Sequence, residues 1–181
     1  HDNEIYENII TAAGQDVFCI AVGAEGAQPY DSVIHHNVLS ATDHAIRVTE
    51  NIRDIDFHNN NITINEGSGS GAAVYLLEYH TTTGSSNHIE NISFNHESIT
   101  NNTSSQVIRF QDLGDDGPTG VSLWGMTVDG SDLDSGDIHN AGGSAEWTVA
   151  SPPCAYDSSG GTNTDPPVDP PAAPANLRRT D

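Results

Sequence analysis

Asn51-Ile52-Arg53-Asp54-Ile55-Asp56-Phe57-His58-Asn59-Asn60-Asn61-Ile62 returns 37 residues later as His88-Ile89-Glu90-Asn91-Ile92-Ser93-Phe94-Asn95-His96-Glu97-Ser98-Ile99. Ile52, Ile55, Phe57 and Ile62 of the first copy fall on Ile89, Ile92, Phe94 and Ile99 of the second. A looser copy passes through Leu123, Met126, Val128 and Leu133, and weaker ones lie upstream around Ser32–Leu39 and at His1–Ile5. The closing apolar anchors are then Ile5, Leu39, Ile62, Ile99 and Leu133, with gaps of 34, 23, 37 and 34. A recurring unit of this size predicts stacked structural repeats.

Within a unit the apolar period is two: Ile55 and Phe57, like Ile92 and Phe94, alternate with Asp56 and Ser93. That is the pattern of a half-buried strand. After each anchor comes a second short β-like run, at Val17–Val22, Ala45–Val48, Val74–Leu77 and Val107–Phe110. Two strands per unit, joined by a tight polar corner and closed by a loop of variable length, make one rung of a parallel β-helix. The expected fold is therefore all-β, a solenoid of about four to five rungs.

The units Ile-x-Phe-x-Asn-Asn and Ile-x-Phe-x-His-Glu, each closing on an Ile, resemble the right-handed parallel β-helix repeats of the pectate-lyase-like superfamily over residues 1 to 140. That resemblance implies a secreted, carbohydrate-active protein. The polysaccharide lyases of the superfamily neutralise a uronate carboxylate and remove the adjacent proton with a basic group, often Arg or Lys, in some cases with Ca²⁺.

Residues 1–150 read as one domain and 151–181 as a linker, with Asp165-Pro166-Pro167-Val168-Asp169-Pro170-Pro171 as an extended Pro-rich spacer. Pro174-Ala175-Asn176-Leu177 is similar to the opening of a fibronectin type III module. The chain starts on the second half of a repeat, which reads as a piece of a longer modular protein. With 26 acidic residues, 5 Arg, no Lys and a formal charge of −21, it is no partner for nucleic acid. Such a surface suits high salt, divalent cations and an extracellular setting. No stretch approaches the ~20 apolar residues of a membrane span. Cys19 and Cys154 either pair or remain free thiols.

Stacking places equivalent positions about 4.8 Å apart, so an alignment of the units predicts neighbours. One outward column reads His1, His35, His58, Asn95 and Asp129; another reads Ala21, Arg47, Leu76, Arg109 and His139. Asn3, Asn37 and Asn60 form a third, at the corner, where Asn tolerates left-handed backbone and bonds neighbouring peptides. In the light of the resemblance, Arg47 and Arg109 are the catalytic candidates, and His35, His58, Asn95 and His139 the substrate-binding ones. The bland alternatives are salt bridges of Arg47 with Glu50 or Glu78, and of Arg109 with Glu78 or Asp112. For the histidines, the alternative is an exposed repeat position where His, Asn and Asp interchange. Imidazoles ~5 Å apart also suit a metal ion. Oxygen-rich loops offer calcium sites at Asp112, Asp115 and Asp116, and at Asp129, Asp132 and Asp134. Asp54 and Asp56 have no partner rung for the paired-carboxylate chemistry of glycoside hydrolases. Two functions stay open: a lyase acting on an acidic polysaccharide by β-elimination, or a non-catalytic glycan-binding, adhesive or structural wall.

Overall fold

The computed structural model describes residues 3–15, 17–23, 31–49, 52–65, 71–78, 89–112, 117–141 and 145–150. The linker, Asp115, Asp116 and Cys154 lie outside these residues. The chain runs in circuits of three strands. The first is β1 (Glu4–Tyr6), β2 (Ile9–Ala12) and β3 (Phe18–Val22), and the second β4 (Ser32–His35), β5 (Val38–Ala41) and β6 (His44–Thr49). The third is β7 (Ile52–His58), β8 (Asn61–Ile64) and β9 (Ala72–Glu78), and the fourth β10 (Ile89–Asn95), β11 (Ser98–Asn101) and β12 (Ile108–Asp112). Then come β13 (Val121–Trp124), β14 (Thr127–Val128), β15 (Ser131–Asp132), β16 (Ile138–Ala141) and β17 (Trp147–Ala150).

Strands of successive circuits pair side by side in three sheets: β1-β4-β7-β10-β13-β17, β2-β5-β8-β11-β14-β15 and β3-β6-β9-β12-β16. Pairing is parallel except between β14 and β15. The fold is thus all-β and built of parallel sheets. The sequence predicts two strands per unit; the structure has three. The anchors Leu39, Ile62 and Ile99 do not close the first strand but sit inside strands of their own, in the second sheet.

Two left-handed backbone columns create this shape. Glu7, His36, Asn59, His96 and Gly125, with φ of 54°, 54°, 56°, 54° and 60°, turn the chain from the first sheet into the second. At the last of these a Cβ would meet the His96 ring at 2.8 Å, so the position needs glycine twice over. A second column, Asp31, Asp54, Asn91 and Gly120, also has positive φ. It kinks the first sheet as a bulge does, which lets Ile52 and Ile55, three residues apart, both be fully buried.

Inside, like stacks on like. Ile34, Phe57, Phe94 and Leu123 form one buried file, with the two Phe rings 4.7 Å apart and 12° from parallel. Leu39, Ile62, Ile99 and Val128 form another, and Ile46, Val74 and Ile108 a third. The expected anchors Ile5 and Leu133 are displaced by Ile10 and Val128. The spacing of Leu123, Met126, Val128 and Leu133 repeats that of Ile52, Ile55, Phe57 and Ile62, but five residues out of register. The true partner of Phe94 is Leu123.

At the first corner the side chains form a ladder. Asn37 Oδ1 accepts from the N and Nδ2 of Asn8, both at 3.0 Å; Asn60 Oδ1 accepts from the N and Nδ2 of Asn37 at 3.0 and 2.9 Å. Asn60 in turn donates through N and Nδ2 to the two carboxyl oxygens of Glu97, each at 3.1 Å. Asn8 therefore takes the place expected for Asn3, and Glu97 ends a row otherwise made of Asn.

Glu97 is 1% exposed. Burial, the largest influence, pushes its carboxyl well above the ordinary 4.5; the bonds from Asn60 pull downward and the Asp56 charge upward. A carboxyl raised in this way binds more protons folded than unfolded. Its contribution is therefore fully present below the unfolded value and is lost as pH rises towards the folded one. An Asn at this position would continue the ladder, with Oδ1 taking both Asn60 donors. Thermal melts of Glu97→Asn should gain on the parent steadily as pH rises above the ordinary carboxyl value of 4.5. The missing methylene costs about 0.8 kcal/mol at every pH. A gap between the two proteins that does not change with pH would refute a titrating Glu97.

Candidate functional site

The outer face of the third sheet carries one row of chemistry-bearing side chains. Strand register places Ala21, Arg47, Tyr75, Arg109 and His139 side by side on β3, β6, β9, β12 and β16. Tyr75 thus stands where the sequence predicts Leu76, which is wholly buried instead. Alternation along β9 assigns the inward positions to Val74 and Leu76, and so hands the outward one to Tyr75.

Both arginines lie over aromatic rings: the Arg47 guanidinium carbon is 4.6 Å from the centre of Phe18, and that of Arg109 is 5.4 Å from the centre of Tyr75. Arg47 Nε is buried with no hydrogen-bond partner, so the ring face is its neighbour. The side chains of Glu50, Glu78 and Asp112, the expected salt-bridge partners, lie outside the described ones. Beneath the row His44 packs against Phe18 and Tyr75, with ring centres 5.8 and 4.5 Å away. Its Nδ1 accepts from the Ala72 amide at 3.2 Å, and its Nε2 is 3.6 Å from Asp43. Burial lowers the His44 pKa, Arg109 and Arg47 lower it further, and Asp43 opposes them. A neutral imidazole results, which adds no positive charge between two guanidiniums. Tyr75 donates its hydroxyl to Gln111 Oε1 at 2.5 Å. Arg109 and His139, with Ser105 and Gln106, line an open cavity of about 260 Å³.

The first sheet carries the histidines. Its outward row is Tyr6, His35, His58, Asn95 and Trp124, so Tyr6 and Trp124 replace the expected His1 and Asp129. The His35 ring is stacked on His58 (centres 4.7 Å, 8°) and on Tyr6 (5.3 Å, 6°). His36, pushed outward by its left-handed corner, meets His35 and His58 edge-on, and its Nδ1 is 2.7 Å from Nδ1 of His35. His35 Nε2 is 2.9 Å from Glu4 Oε1, and His58 Nε2 is 3.9 Å from Asp56 Oδ2. Asp56 also accepts from Ser93 Oγ at 2.5 Å and from Asn95 Nδ2 at 2.8 Å, which makes Asn95 a tether for this carboxylate. Burial, followed by the neighbouring His35, His36 and His96 against an opposing Asp56, lowers the His58 pKa; burial alone lowers that of His96, which sits edge-on to Trp124.

Among the described residues, His35, His36 and His58 are the one group of three metal-ligand residues whose ligand atoms lie within 4.8 Å of each other. Two of the expected calcium ligands, Asp129 and Asp134, are otherwise employed. Asp129 (φ 50°) and Gly130 (φ 80°) form the two-residue turn of the β14–β15 hairpin, where both central residues need positive φ. Asp129 accepts from the Asn101 amide at 2.9 Å, and Asp134 caps the 3-10 turn Ser135–Asp137 by accepting from Gly136 N at 2.6 Å. Asp132 is exposed at the end of β15. The backbone of Asp112 ends β12. Cys19 is a free thiol that donates to the carbonyls of Ser40 and Ile10 at 3.3 and 3.5 Å, and burial raises its pKa. No helix among the described residues is long and apolar enough to cross a membrane.

Sequence reading misses Tyr75, His44, His36, Tyr6 and Trp124. The His35-His36 doublet was a usable signal, because a residue at a strand end with positive φ projects beside its neighbour instead of opposite it. No known protein family, curated protein or solved structure matches the chain.

Proposed function

We propose that the three-strand circuits wind as a right-handed parallel β-helix of the pectate-lyase-like kind, and that the protein is secreted and acts on an acidic polysaccharide by β-elimination. The observation that carries this reading is the row Arg47–Tyr75–Arg109–His139 on the third sheet, whose last two members, Arg109 and His139, border the open cavity. Two strand spacings put the backbones of Arg47 and Arg109 about 10 Å apart, a span that suits carboxylates on a polymer lying across the strands. Arg109 would pair with the carboxylate of the uronate being cleaved and so acidify its C5–H. His139, next in the row, would take that proton. The C4–O bond then breaks as the C4=C5 double bond forms, and the departing oxygen acquires a proton from water. Arg47 would hold a second uronate.

Calcium, if it takes part, belongs with Asp112, Asp115 and Asp116. Asp129 and Asp134 commit their carboxylates to backbone amides, and no step here runs through the ion. The second reading, a non-catalytic glycan-binding or structural wall, is favoured by the aromatic seats of both arginines, since a cation over a ring face also stabilises a surface with no substrate present.

The test is ultraviolet absorbance of the unsaturated product on alginate, pectate and glycosaminoglycans, with and without chelator. Arg109→Ala should lower turnover by about 10²–10³-fold, the usual cost of removing one charge-stabilising donor. No product from any of these polymers would leave the binding reading standing.

A further inference from the structure

We infer that His35, His36 and His58 form a binding site for a divalent transition-metal ion of the zinc and copper class, on the outer face of the first sheet. The lyase reading neither requires nor uses it, because the proposed chemistry lies on the third sheet.

Three observations converge. The ligand atoms of the three imidazoles already lie within 4.8 Å of one another. Two nitrogens on a tetrahedral zinc, each bound at about 2.0–2.1 Å, stand roughly 3.3 Å apart. The 2.7 Å between Nδ1 of His35 and Nδ1 of His36 needs to open by only about half an ångström. His36 is exposed, so its ring has room to make that movement.

Next, a carboxylate braces the far nitrogen of His35 and another lies near that of His58. Glu4 holds Nε2 of His35 at 2.9 Å, and Asp56, itself fixed by Ser93 and Asn95, faces Nε2 of His58 at 3.9 Å, while Nδ1 of His58 is 3.2 Å from Asn59 Nδ2, a contact the ion would replace. A carboxylate on the remote nitrogen sets the tautomer and orientation of a metal-ligating imidazole and raises its basicity. The bond from Glu4 leaves Nδ1 of His35 as the nitrogen turned to its neighbours.

Third, the rings are already assembled: His35 is stacked on His58, and His36 stands edge-on to both. A metal ion supplies a charge that all three nitrogens can share.

Three nitrogen donors with no thiolate select the borderline ions and reject calcium and magnesium, which require oxygen. Because His36 is exposed, the fourth coordination position opens to solvent, the arrangement that leaves room for a water or a small ligand.

Neighbouring circuits supply conservative variants. Asn59 occupies the corner position of His36 one circuit later, also at positive φ, and Asn95 occupies the row position of His58. His36→Asn and His58→Asn therefore retain side chains that the fold already accepts there. Calorimetric titration of the full chain with Zn²⁺ and with Cu²⁺, in millimolar Ca²⁺ to saturate the acidic surface, should show one equivalent bound with Kd at or below about 10 µM. Copper should bind more tightly than zinc, and the Cu²⁺ paramagnetic resonance spectrum should show nitrogen couplings. Each Asn variant should weaken binding at least tenfold, and Glu4→Gln by about tenfold. Absence of saturable binding, or equal binding by the parent and both Asn variants, overturns the inference.

Discussion

Asn60→Ala should lose about 4 kcal/mol in urea denaturation, most of the stability that a domain of ordinary marginal stability possesses. The side chain joins three circuits: Oδ1 accepts from the N and Nδ2 of Asn37, while Nδ2 donates to the carbonyl of Ile34 and to Glu97. Alanine deletes all four bonds and strands a buried amide, a buried carbonyl and a buried carboxyl. Each orphaned group costs about 1–3 kcal/mol, more than its bond was worth when made. Asn61, one residue on and exposed, is the control, and Asn61→Ala should change stability by less than about 0.5 kcal/mol. A loss at Asn60 as small as that at Asn61 would mean that water replaces the ladder without penalty.

Phe94→Ala should cost about 3–5 kcal/mol, the range for truncating a buried aromatic. Phe94 is wholly buried and stacked on Phe57, between the circuits of β7 and β13. The files of the core are one side chain wide, so a hole is bounded above and below by rows whose spacing the backbone ladders fix at about 4.8 Å. Those rows cannot close in along the stack, which places the cost at the upper end of the range. For a chain of this size the melting temperature should fall by roughly 10 °C. Phe94→Leu, which keeps most of the volume, should recover more than half of the loss. Equal losses in the two variants would show that ring stacking, not volume, is what matters.

Much of this architecture was legible in the sequence. The repeat of Ile52–Ile62 at Ile89–Ile99 gave the correct register between β7 and β10, and hence the neighbours Asn95 beside His58 and Phe94 beside Phe57. Arg47, Arg109 and His139 do share a row, and Asn37 and Asn60 do stack. What failed was phase at the ends. Left-handed residues set the phase, and neither Glu7 nor His36 advertises positive φ as a glycine would. At the far end Met126 occupies the ladder position, so the apolar spacing reappears five residues late and carried Asp129 into a row where Trp124 belongs. The dipeptide Asp129-Gly130 was the available corrective, since that pair between two strands signals a tight hairpin. Instead its carboxylate was read as a cation ligand. The histidine cluster was half visible: His35 and His58 follow from register, whereas His36 joins them only through the shape of the corner.

The corners of the circuit are not equivalent, and this bears on how such a chain can be altered. Between the first and second sheets there are always two residues, from Tyr6 to Ile9 through Trp124 to Thr127. All variation in circuit length falls at the other two corners: the return to the first sheet takes two residues between β6 and β7 but ten between β9 and β10. Lengthening a loop there is cheap, about 0.6 kcal/mol for each doubling. One residue added at the invariant corner would instead exchange the inner and outer faces of the strand that follows. Foreign peptides grafted at the permissive corners would be displayed at a regular pitch along the molecule, each anchored by strands that need not change. The invariant corner works as the ruler that keeps that pitch.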